Sequence, residues 1–496
     1  MIITRSWLEE FIDISKIPTD DICKTLNAIG FEVDSLERIS IAPKVVIGKV
    51  LEKEKHPDAD KLNICQVDLG THQVQIVCGA KNVEAGQFVP VATVGCDLGN
   101  NFVIKEAKLR GVESNGMICS ATELGLPKLN DGILELDDSI GELVLGKELK
   151  EYSKLNDDII EIGLTANRGD CLSINGIVRE LSAFYSIVLI ECDKKINYNK
   201  LGIGQLLEIE CDKHIDSSLS FIVIDFSDFK LNILQKLRTA IIGKFQENND
   251  VKNILTYTTH TTGVILNAYS KEKTIKGENL NIMYIKKDEL GFDNIYGTEQ
   301  LSKICVEHNE IEINDTNFII EASYINPELI SKKVFDAKIK TGEIYYKASR
   351  GSEPNIDYGI NYLSTLVSKS GASIYGGCET FVEDKEKLTL DISVNKINAI
   401  IGQEIPKIEI ERILVSLGFG VKDIGSILVI KVPYYRHDIK NIADITEEIV
   451  RIIGIDNIIA KLQQVLEKNN TLKKEVGSVK TKSTELEIKN NELEKK

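Results

Sequence analysis

Four carboxylates crowd one short stretch of the sequence, VPYYRHDIKNIADITEEIVRIIGIDNI, residues 432–458. They are Asp438, Asp444, Glu447 and Glu448. Crowded carboxylates repel one another unless a cation or nearby arginine and lysine side chains neutralise them. The stretch therefore predicts one of three things: the ligands of a metal ion, a helix cap, or a solvated helix face.

The residues around three of these acids carry the signature of a helix start. If a helix begins at Asn441, that side chain can accept a first-turn N–H bond. Asp444 would then stand at the third helical position, where a negative charge favours the helix dipole. Glu447 and Glu448 follow at spacings of three and four, on the same face, and Arg451 lies one turn further on. The residues alone favour a capped, salt-bridged surface helix, with the fourth acid in a preceding turn.

The composition sets the class of protein. A length of 496 residues predicts three to five domains, and 43% hydrophobic with 27% charged residues is typical of a soluble globular protein. Ten cysteines without a CxxC pair favour reduced thiols in a cytoplasm. No apolar run approaches the roughly 18 residues of a membrane span, and the N terminus does not read as a signal peptide. A net charge of −16 argues against a general nucleic-acid coat.

The apolar periodicity divides the first 205 residues into three parts. Residues 1–40 predict an N-terminal helical hairpin, with Thr19 placed to cap the second helix and Gly30 to end it. Residues 41–150 carry several short strand patterns between glycine turns and predict a small oligonucleotide-binding (OB)-type β-barrel. Residues 151–205 predict a strand, a polar loop and a helix.

The remainder predicts an α+β multidomain chain with a helical tail. Residues 206–380 read as a mixed α/β domain, and residues 385–460 as a compact winged-helix-like α+β domain. Residues 461–496 are rich in Lys and Glu, without proline or aromatic residues, and repeat in sevens. Polar residues at three a positions leave a weak coiled coil and a frayed charged tail as equal alternatives. The d positions are Val465, Leu472, Val479, Leu486 and Leu493.

Three stretches resemble one known family, in that family's order. HPDADKLNICQVDLG, with IVCGAKNVEAGQFVPVA and AKLRGVESNGMICSATELGL after it, is similar to the tRNA-binding barrel shared by several synthetases. IIEIGLTANRGDCLSINGIVRELSAFY and the carboxylate stretch resemble segments of the β subunit of bacterial phenylalanyl-tRNA synthetase. The chain is thus identified as a member of that family, shortened or diverged at its C terminus.

The resemblance implies a function and a set of partners. An α subunit would form the phenylalanyl adenylate from ATP and transfer phenylalanine to tRNA(Phe). This chain would supply tRNA contacts and scaffold, and we assign no catalytic residue to it. It further implies an α2β2 heterotetramer, a Mg²⁺ ion shared with the α subunit, and the four carboxylates of the opening motif as its ligands. The domain at 206–380 would be of the B3/B4 editing type, and that at 385–460 the B5 domain.

The barrel would contact tRNA through Lys61, Lys108 and Arg110, whose side chains can reach phosphates. Residues 41–125 nevertheless hold nine Lys and Arg against ten Asp and Glu. Such a neutral barrel releases few counterions, so we expect weak, shape-directed RNA contact, with a purely structural or docking barrel as the alternative.

The domain at 206–380 departs from the family's editing site, which hydrolyses mischarged tyrosyl-tRNA. Asn267 stands where the family commonly has a histidine, and an amide cannot act as a general base. Glu321 matches a pocket carboxylate, and His260 could substitute as base, although a structural role is favoured for each. We therefore expect the usual editing constellation to be absent.

Two rival interpretations remain open. The chain could be a non-catalytic tRNA-binding or assembly protein that dimerises through its C-terminal helix. It could also be a truncated β-subunit fragment. The leading interpretation predicts that the chain binds an α subunit and that the complex aminoacylates tRNA. Neither rival predicts this.

Overall fold

The computed structural model describes residues 1–99, 101–191, 196, 198–212, 214–278, 280–311, 315–382, 387–458, 471–476 and 482. The chain divides into two compact units. Unit 1 comprises Met1–Asn27, Phe31–Glu386 and Tyr434–His437, and unit 2 comprises Ala28–Gly30, Lys387–Pro433 and Asp438–Lys496. Among the described helices, none has both the length and the apolar character that crossing a membrane requires.

Runs of consecutive strands are separated by helices in the described residues. The strands are β1 (Ile2–Thr4), β2 (Glu32–Arg38), β3 (Val45–Lys55), β4 (Asn63–Asp68), β5 (Gln73–Cys78), β6 (Phe88–Ala92), β7 (Ala107–Leu109), β8 (Val112–Ser114), β9 (Met117–Ile118), β10 (Asp158–Gly163), β11 (Tyr198–Gly202), β12 (Leu207–Cys211), β13 (Ser217–Asp225), β14 (Ile265–Ser270), β15 (Ile275–Lys276), β16 (Asn281–Lys287), β17 (Asp293–Tyr296), β18 (Gln300–Lys303), β19 (Glu307–His308), β20 (Asn317–Ile325), β21 (Ser373–Gly376), β22 (Glu379–Phe381), β23 (Thr389–Ser393), β24 (Gly420–Ile424) and β25 (Ile427–Lys431). The helices are α1 (Arg5–Leu8), α2 (Thr19–Ala28), α3 (Ile174–Tyr185), α4 (Ile233–Ile241), α5 (Asp250–Thr262), α6 (Pro327–Ala337), α7 (Glu343–Arg350), α8 (Ile356–Lys369), α9 (Val394–Ile401), α10 (Lys407–Ser416) and α11 (Ile442–Ile453).

The N-terminal residues form a small sheet, so the helical hairpin predicted for residues 1–40 is wrong. The second predicted helix is present as α2, but α1 is a single turn and β2 follows α2. The antiparallel order is β1–β10–β2, with Ile2 opposite Glu161. Local periodicity does not contain this pairing, because β10 lies more than 100 residues further along the chain. In the range 151–205, the strand β10 is followed by the helix α3.

The barrel sheet has the order β5–β4–β3–β6–β9, and all its ladders are antiparallel. Side chains on β4 alternate between buried and half-buried, as expected for a strand with one face toward a core. Gly48 in the middle of β3 allows close packing, because a Cβ there would lie 2.7 Å from side-chain atoms of both Val67 and Val91. Strands β7 and β8 form a separate hairpin.

The central part of unit 1 contains two sheets. The first has the order β11–β21–β13–β20–β14, with β22 pairing β13. The second has the order β12–β16–β17–β18–β19, with β15 pairing β16. Strand β13 is buried along almost its whole length because side chains pack on both faces, and Phe221 and Leu219 belong to its core. This is the mixed α/β domain expected for residues 206–380.

In unit 2, residues 387–458 contain a three-stranded sheet and the helices α9, α10 and α11. The sheet order is β23–β25–β24, and it is antiparallel. The fully buried side chains at its core come from all three helices and the central strand, including Ile397, Ile413, Ile449 and Leu428. The predicted α+β multidomain class is thereby confirmed.

The predicted coiled coil lies mostly outside the described residues. Within its range, residues 471–476 are helical, and Leu472 and Val476 are exposed. Dimerisation through the tail stays a prediction.

Candidate functional site

The three basic side chains predicted to contact tRNA lie on two segments of the barrel. Lys61 is exposed on the loop of residues 56–62, which connects β3 to β4. Lys108 and Arg110 are exposed on the β7–β8 hairpin. The ammonium group of Lys108 lies 3.1 Å from Glu113 on the paired strand, and both side chains are solvated. A surface ion pair of this kind contributes little stability, so Lys108 can exchange Glu113 for a phosphate at small cost.

The hairpin turn places Arg110 in an uncommon backbone conformation. Arg110 and Gly111 have φ angles of 47° and 87°. Two successive positive φ values are those of a type I′ turn, which suits the twist of a two-residue hairpin. A non-glycine residue at positive φ costs roughly 1 kcal/mol, and such strain is found where a side chain is needed for function. The turn holds the Arg110 guanidinium at the tip of the hairpin.

A cavity of about 1020 Å³ opens in the central part of unit 1. Two of the three residues predicted for an editing pocket, His260 and Asn267, line it, and Glu321 does not. Lys244 and Lys347 also line it, together with Thr256 and other polar and apolar residues. The cavity therefore brings only part of the predicted constellation together.

The Glu321 carboxylate is enclosed in a chain of hydrogen bonds between neighbouring strands. Asn267 on β14 lies opposite Glu321 on β20. The Asn267 amide donates to the hydroxyl oxygen of Tyr269 at 2.9 Å, and that hydroxyl donates to the Glu321 carboxyl. All three side chains are buried. Burial raises the pKa of Glu321 above its ordinary value, against the lowering effect of its hydrogen bonds. This arrangement is that of a satisfied structural group.

His260 on α5 is held inside the protein as a neutral side chain. Its Nε2 donates to the carbonyl oxygen of Ile2 at 2.7 Å, and its ring lies 5.0 Å from that of Trp7. Burial lowers the pKa of His260 to about 3. A base this weak is poorly matched to proton transfer near pH 7. The contacts support the structural role that the sequence favoured.

The predicted cap of α11 is confirmed. The Asn441 side chain accepts the N–H of Ala443 at 2.7 Å. One carboxylate oxygen of Asp444 accepts the backbone N–H groups of Asn441 and Lys440 at 2.9 Å and 2.6 Å. The two side chains form a reciprocal capping box, which satisfies N–H groups that a helix start leaves unpaired. Asp444 therefore has one oxygen committed to the helix.

The two adjacent glutamates of α11 lie in different surroundings. Glu447 is exposed, whereas Glu448 is buried. The guanidinium of Arg451 donates to both oxygens of Glu448, at 2.6 Å and 3.4 Å. Arg451 also donates to the carbonyl oxygen of Ile29, which belongs to the same unit. The Glu448 carboxylate is thus paired with an arginine, and its role as a metal ligand stays a prediction.

The four acids do not converge on one point. Within the described part of the chain, a set of three ligand side chains close enough for one ion occurs at Asp170, Cys171 and Glu180, and not at the carboxylate motif. Mg²⁺ takes only one or two carboxylates directly and fills its shell with water. Carboxylate oxygens are the hard donors that such a site uses, and the predicted Mg²⁺ site of the four acids stays a prediction.

Two family models match the chain. The first is described as a putative tRNA binding domain and matches residues 45–142. The second is described as the tRNA synthetase B5 domain and matches residues 390–455. The first range contains the loop of residues 56–62 and the β7–β8 hairpin, and the second contains α11 with its carboxylates.

The curated relatives carry one name. The chain is 44% identical to the phenylalanine–tRNA ligase beta subunit of Sulfurimonas denitrificans over 93% of its own length, and 45% identical to that of Wolinella succinogenes over 95%. The chain belongs to the phenylalanine–tRNA ligase β-subunit family. The corresponding subunit of Campylobacter jejuni is 42% identical over 95% of the chain.

The matched region is only part of these relatives. The chain spans 60% of the Sulfurimonas subunit and 62% of the Wolinella subunit. A solved N-terminal fragment of the Pyrococcus horikoshii phenylalanyl-tRNA synthetase β subunit is 13% identical, with 60% of this chain and 87% of that chain covered and a TM-score of 0.31. The family assignment rests on the curated sequences.

Sequence reasoning missed two residues of these sites. Tyr269 joins Asn267 to Glu321, and the only signal for it was its place two residues after Asn267 on the same strand face. His56 is the first residue of the loop of residues 56–62, and its side chain is buried, at 4% exposure. The sequence shows a histidine directly before a proline at the end of a strand pattern, but no nearby residue indicates that its side chain bonds to Leu109.

We expect Glu448→Gln and Glu447→Gln to differ sharply. The first substitution removes the charge of Glu448 from its ion pair with Arg451 in a site where both side chains are nearly buried, and should lower the free energy of unfolding of unit 2 by about 3 kcal/mol. The exposed Glu447 should change it by less than about 0.5 kcal/mol. Hydrogen exchange of the α11 amides measures both, and equal protection in the two variants would contradict the assignment.

A second prediction concerns Glu321. Glu321→Ala removes the acceptor of the buried Tyr269 hydroxyl and should cost about 2 kcal/mol or more, whereas Glu321→Gln keeps an acceptor and should cost less. Because the folded-state pKa of Glu321 is raised, wild-type stability should fall relative to the Gln variant as the pH rises above 4.5 through that raised value. Urea unfolding across a pH series measures this. The structural role would be refuted if the wild-type protein hydrolysed tyrosyl-tRNA and Glu321→Gln abolished this hydrolysis without changing the stability.

Proposed function

We propose that the chain acts as the β subunit of a phenylalanine–tRNA ligase. It would bind tRNA(Phe) and serve as scaffold, while an α subunit uses ATP to attach phenylalanine to the tRNA in the cytoplasm, in an α2β2 complex. The observation that carries the proposal is the identity of 42–45% to named β subunits over more than nine-tenths of the chain. The matches of both family models support it.

The tRNA contact is proposed for the loop of residues 56–62 and the β7–β8 hairpin of the barrel. Lys61, Lys108 and Arg110 are exposed there, and the range that matches the tRNA-binding model includes all three. No ion pair of Lys61 or Arg110 is found among the described residues, so both cations are available to phosphates. Phosphate contacts position an RNA without reading its sequence.

A Mg²⁺ ion is proposed at the carboxylate motif of α11. Glu447, Asp444 and Asp438 would hold it directly or through water, and a bound ion would neutralise their charge where the α subunit joins. Asp444 would use the oxygen that the capping box leaves over. Glu448 would act beside them by fixing Arg451.

The function is tested by coexpressing the full chain with the α subunit of the same organism. Copurification of the two subunits, with ATP-dependent charging of tRNA(Phe), is the expected result. A chain that binds tRNA but purifies as a dimer without the α subunit would instead establish the rival binding or assembly protein.

Charge reversal at the hairpin gives a second test. Lys108→Glu with Arg110→Glu should weaken tRNA binding, and should reduce the slope of log affinity against log salt by about 1.5 to 2, because two phosphate contacts are lost. The matched control is Lys24→Glu with Lys276→Glu, which changes the net charge equally at two exposed sites outside the barrel. If both pairs behave alike, the barrel does not make the proposed contact.

A further inference from the structure

The loop that carries Lys61 and the hairpin that carries Lys108 and Arg110 meet at one imidazole. The loop of residues 56–62 is closed by a hydrogen bond from the backbone N–H of His56 to the carbonyl oxygen of Leu62, at 3.1 Å. The His56 side chain lies beneath this loop and is 4% exposed. Its Nε2 lies 3.1 Å from the carbonyl oxygen of Leu109, the last residue of β7. One side chain therefore joins two segments that are 53 residues apart in sequence.

The partners of His56 define its protonation state. The backbone N–H of Asp58 donates to Nδ1 at 3.0 Å, so Nδ1 carries no proton. A carbonyl oxygen can only accept, so the proton lies on Nε2 and is donated to Leu109. The neutral Nε2–H tautomer satisfies both bonds at once. The ring is fixed in orientation by a donor on one side and an acceptor on the other.

The two strands of the hairpin are anchored differently. Strand β8 is tied to β5, because Ser114 accepts the N–H of Val77 at 3.0 Å and the Gln75 side chain donates to the carbonyl oxygen of Glu113 at 2.7 Å. Strand β7 is the outer strand, and all three of its residues are exposed. The bond from His56 holds the end of β7, directly before Arg110.

We propose that His56 is a positioning residue of the RNA-contact surface. It fixes the hairpin that carries Lys108 and Arg110 against the loop that carries Lys61, and it does so without touching the RNA itself. The inference rests on the proposed tRNA contact and specifies how that contact is built. Since the barrel is nearly neutral, its few cations must be held in one arrangement to act on the same RNA.

The burial of His56 separates positioning from direct contact. A side chain at 4% exposure beneath a closed loop offers neither ring nitrogen to a phosphate, because both are used inside the protein. Its effect on RNA must therefore pass through the Leu109 carbonyl to Arg110 and through Asp58 to the loop.

The test uses two substitutions of His56 in the full chain, with an unmodified tRNA(Phe) transcript as probe. His56→Asn keeps an acceptor for Asp58 but cannot reach Leu109, and should weaken binding about three- to tenfold, the range expected for one hydrogen bond. His56→Gln carries a donor that can reach Leu109, and should recover most of the affinity. The matched control, Ser114→Ala, removes a hydrogen bond that anchors the same hairpin to β5.

A merely structural role predicts that His56→Asn and Ser114→Ala weaken binding in proportion to their loss of thermal stability. Positioning predicts a specific coupling instead. In the His56→Asn background, Arg110→Ala should have no further effect on affinity, whereas Lys61→Ala should keep its full effect. Additive effects of His56→Asn and Arg110→Ala would overturn the proposal.

The outcomes also distinguish this inference from the function on which it rests. If Lys61→Ala and Arg110→Ala leave tRNA affinity unchanged in the wild-type background, the RNA contact itself is wrong. If they weaken binding while His56→Asn does not, the contact stands and the positioning role of His56 is wrong.

Discussion

Unit 1 depends on the neutralisation of one buried guanidinium. Arg168, at 6% exposure, donates to Asp170 at 3.0 Å and to Glu180 on α3 at 2.5 Å. Burial alone would raise the pKa of Asp170, but the Arg168 charge holds that pKa well below its usual range. A buried charge without a partner costs several kcal/mol, so the loop before α3 and the helix itself are held together. Gly169 permits this geometry, because a Cβ there would lie 2.0 Å from the Arg350 carbonyl oxygen.

Other buried arginines are likewise neutralised by carboxylates. Arg238, which is 1% exposed, forms an ion pair with Glu10, and Arg451 forms one with Glu448. An acid in contact with a buried arginine stabilises the fold through that ion pair. In the α11 motif, Glu448 carries such an ion pair, Asp444 uses one oxygen in the capping box, and Glu447 is exposed.

Local features were predictable from sequence, and long-range pairings were not. The cap of α11 follows from Asn441 and Asp444 because its hydrogen bonds join residues within four positions. The barrel strands follow from alternation. The N-terminal hairpin was wrong because β1 and β2 pair with β10, a strand far along the chain. For the same reason the sequence identified Lys61 and Arg110 by type, but not the His56 bond that links their segments.

A barrel with nine basic and ten acidic residues between positions 41 and 125 cannot rely on bulk attraction to bind RNA. What it can offer is a fixed constellation of a few cations, which preserves affinity by lowering the ordering cost of binding. The type I′ turn places Arg110 at the tip of the hairpin, and the buried ring of His56 is hydrogen-bonded to the loop and to the hairpin, so both features hold such a constellation in place. The fold thus compensates in geometry for what the barrel lacks in net charge.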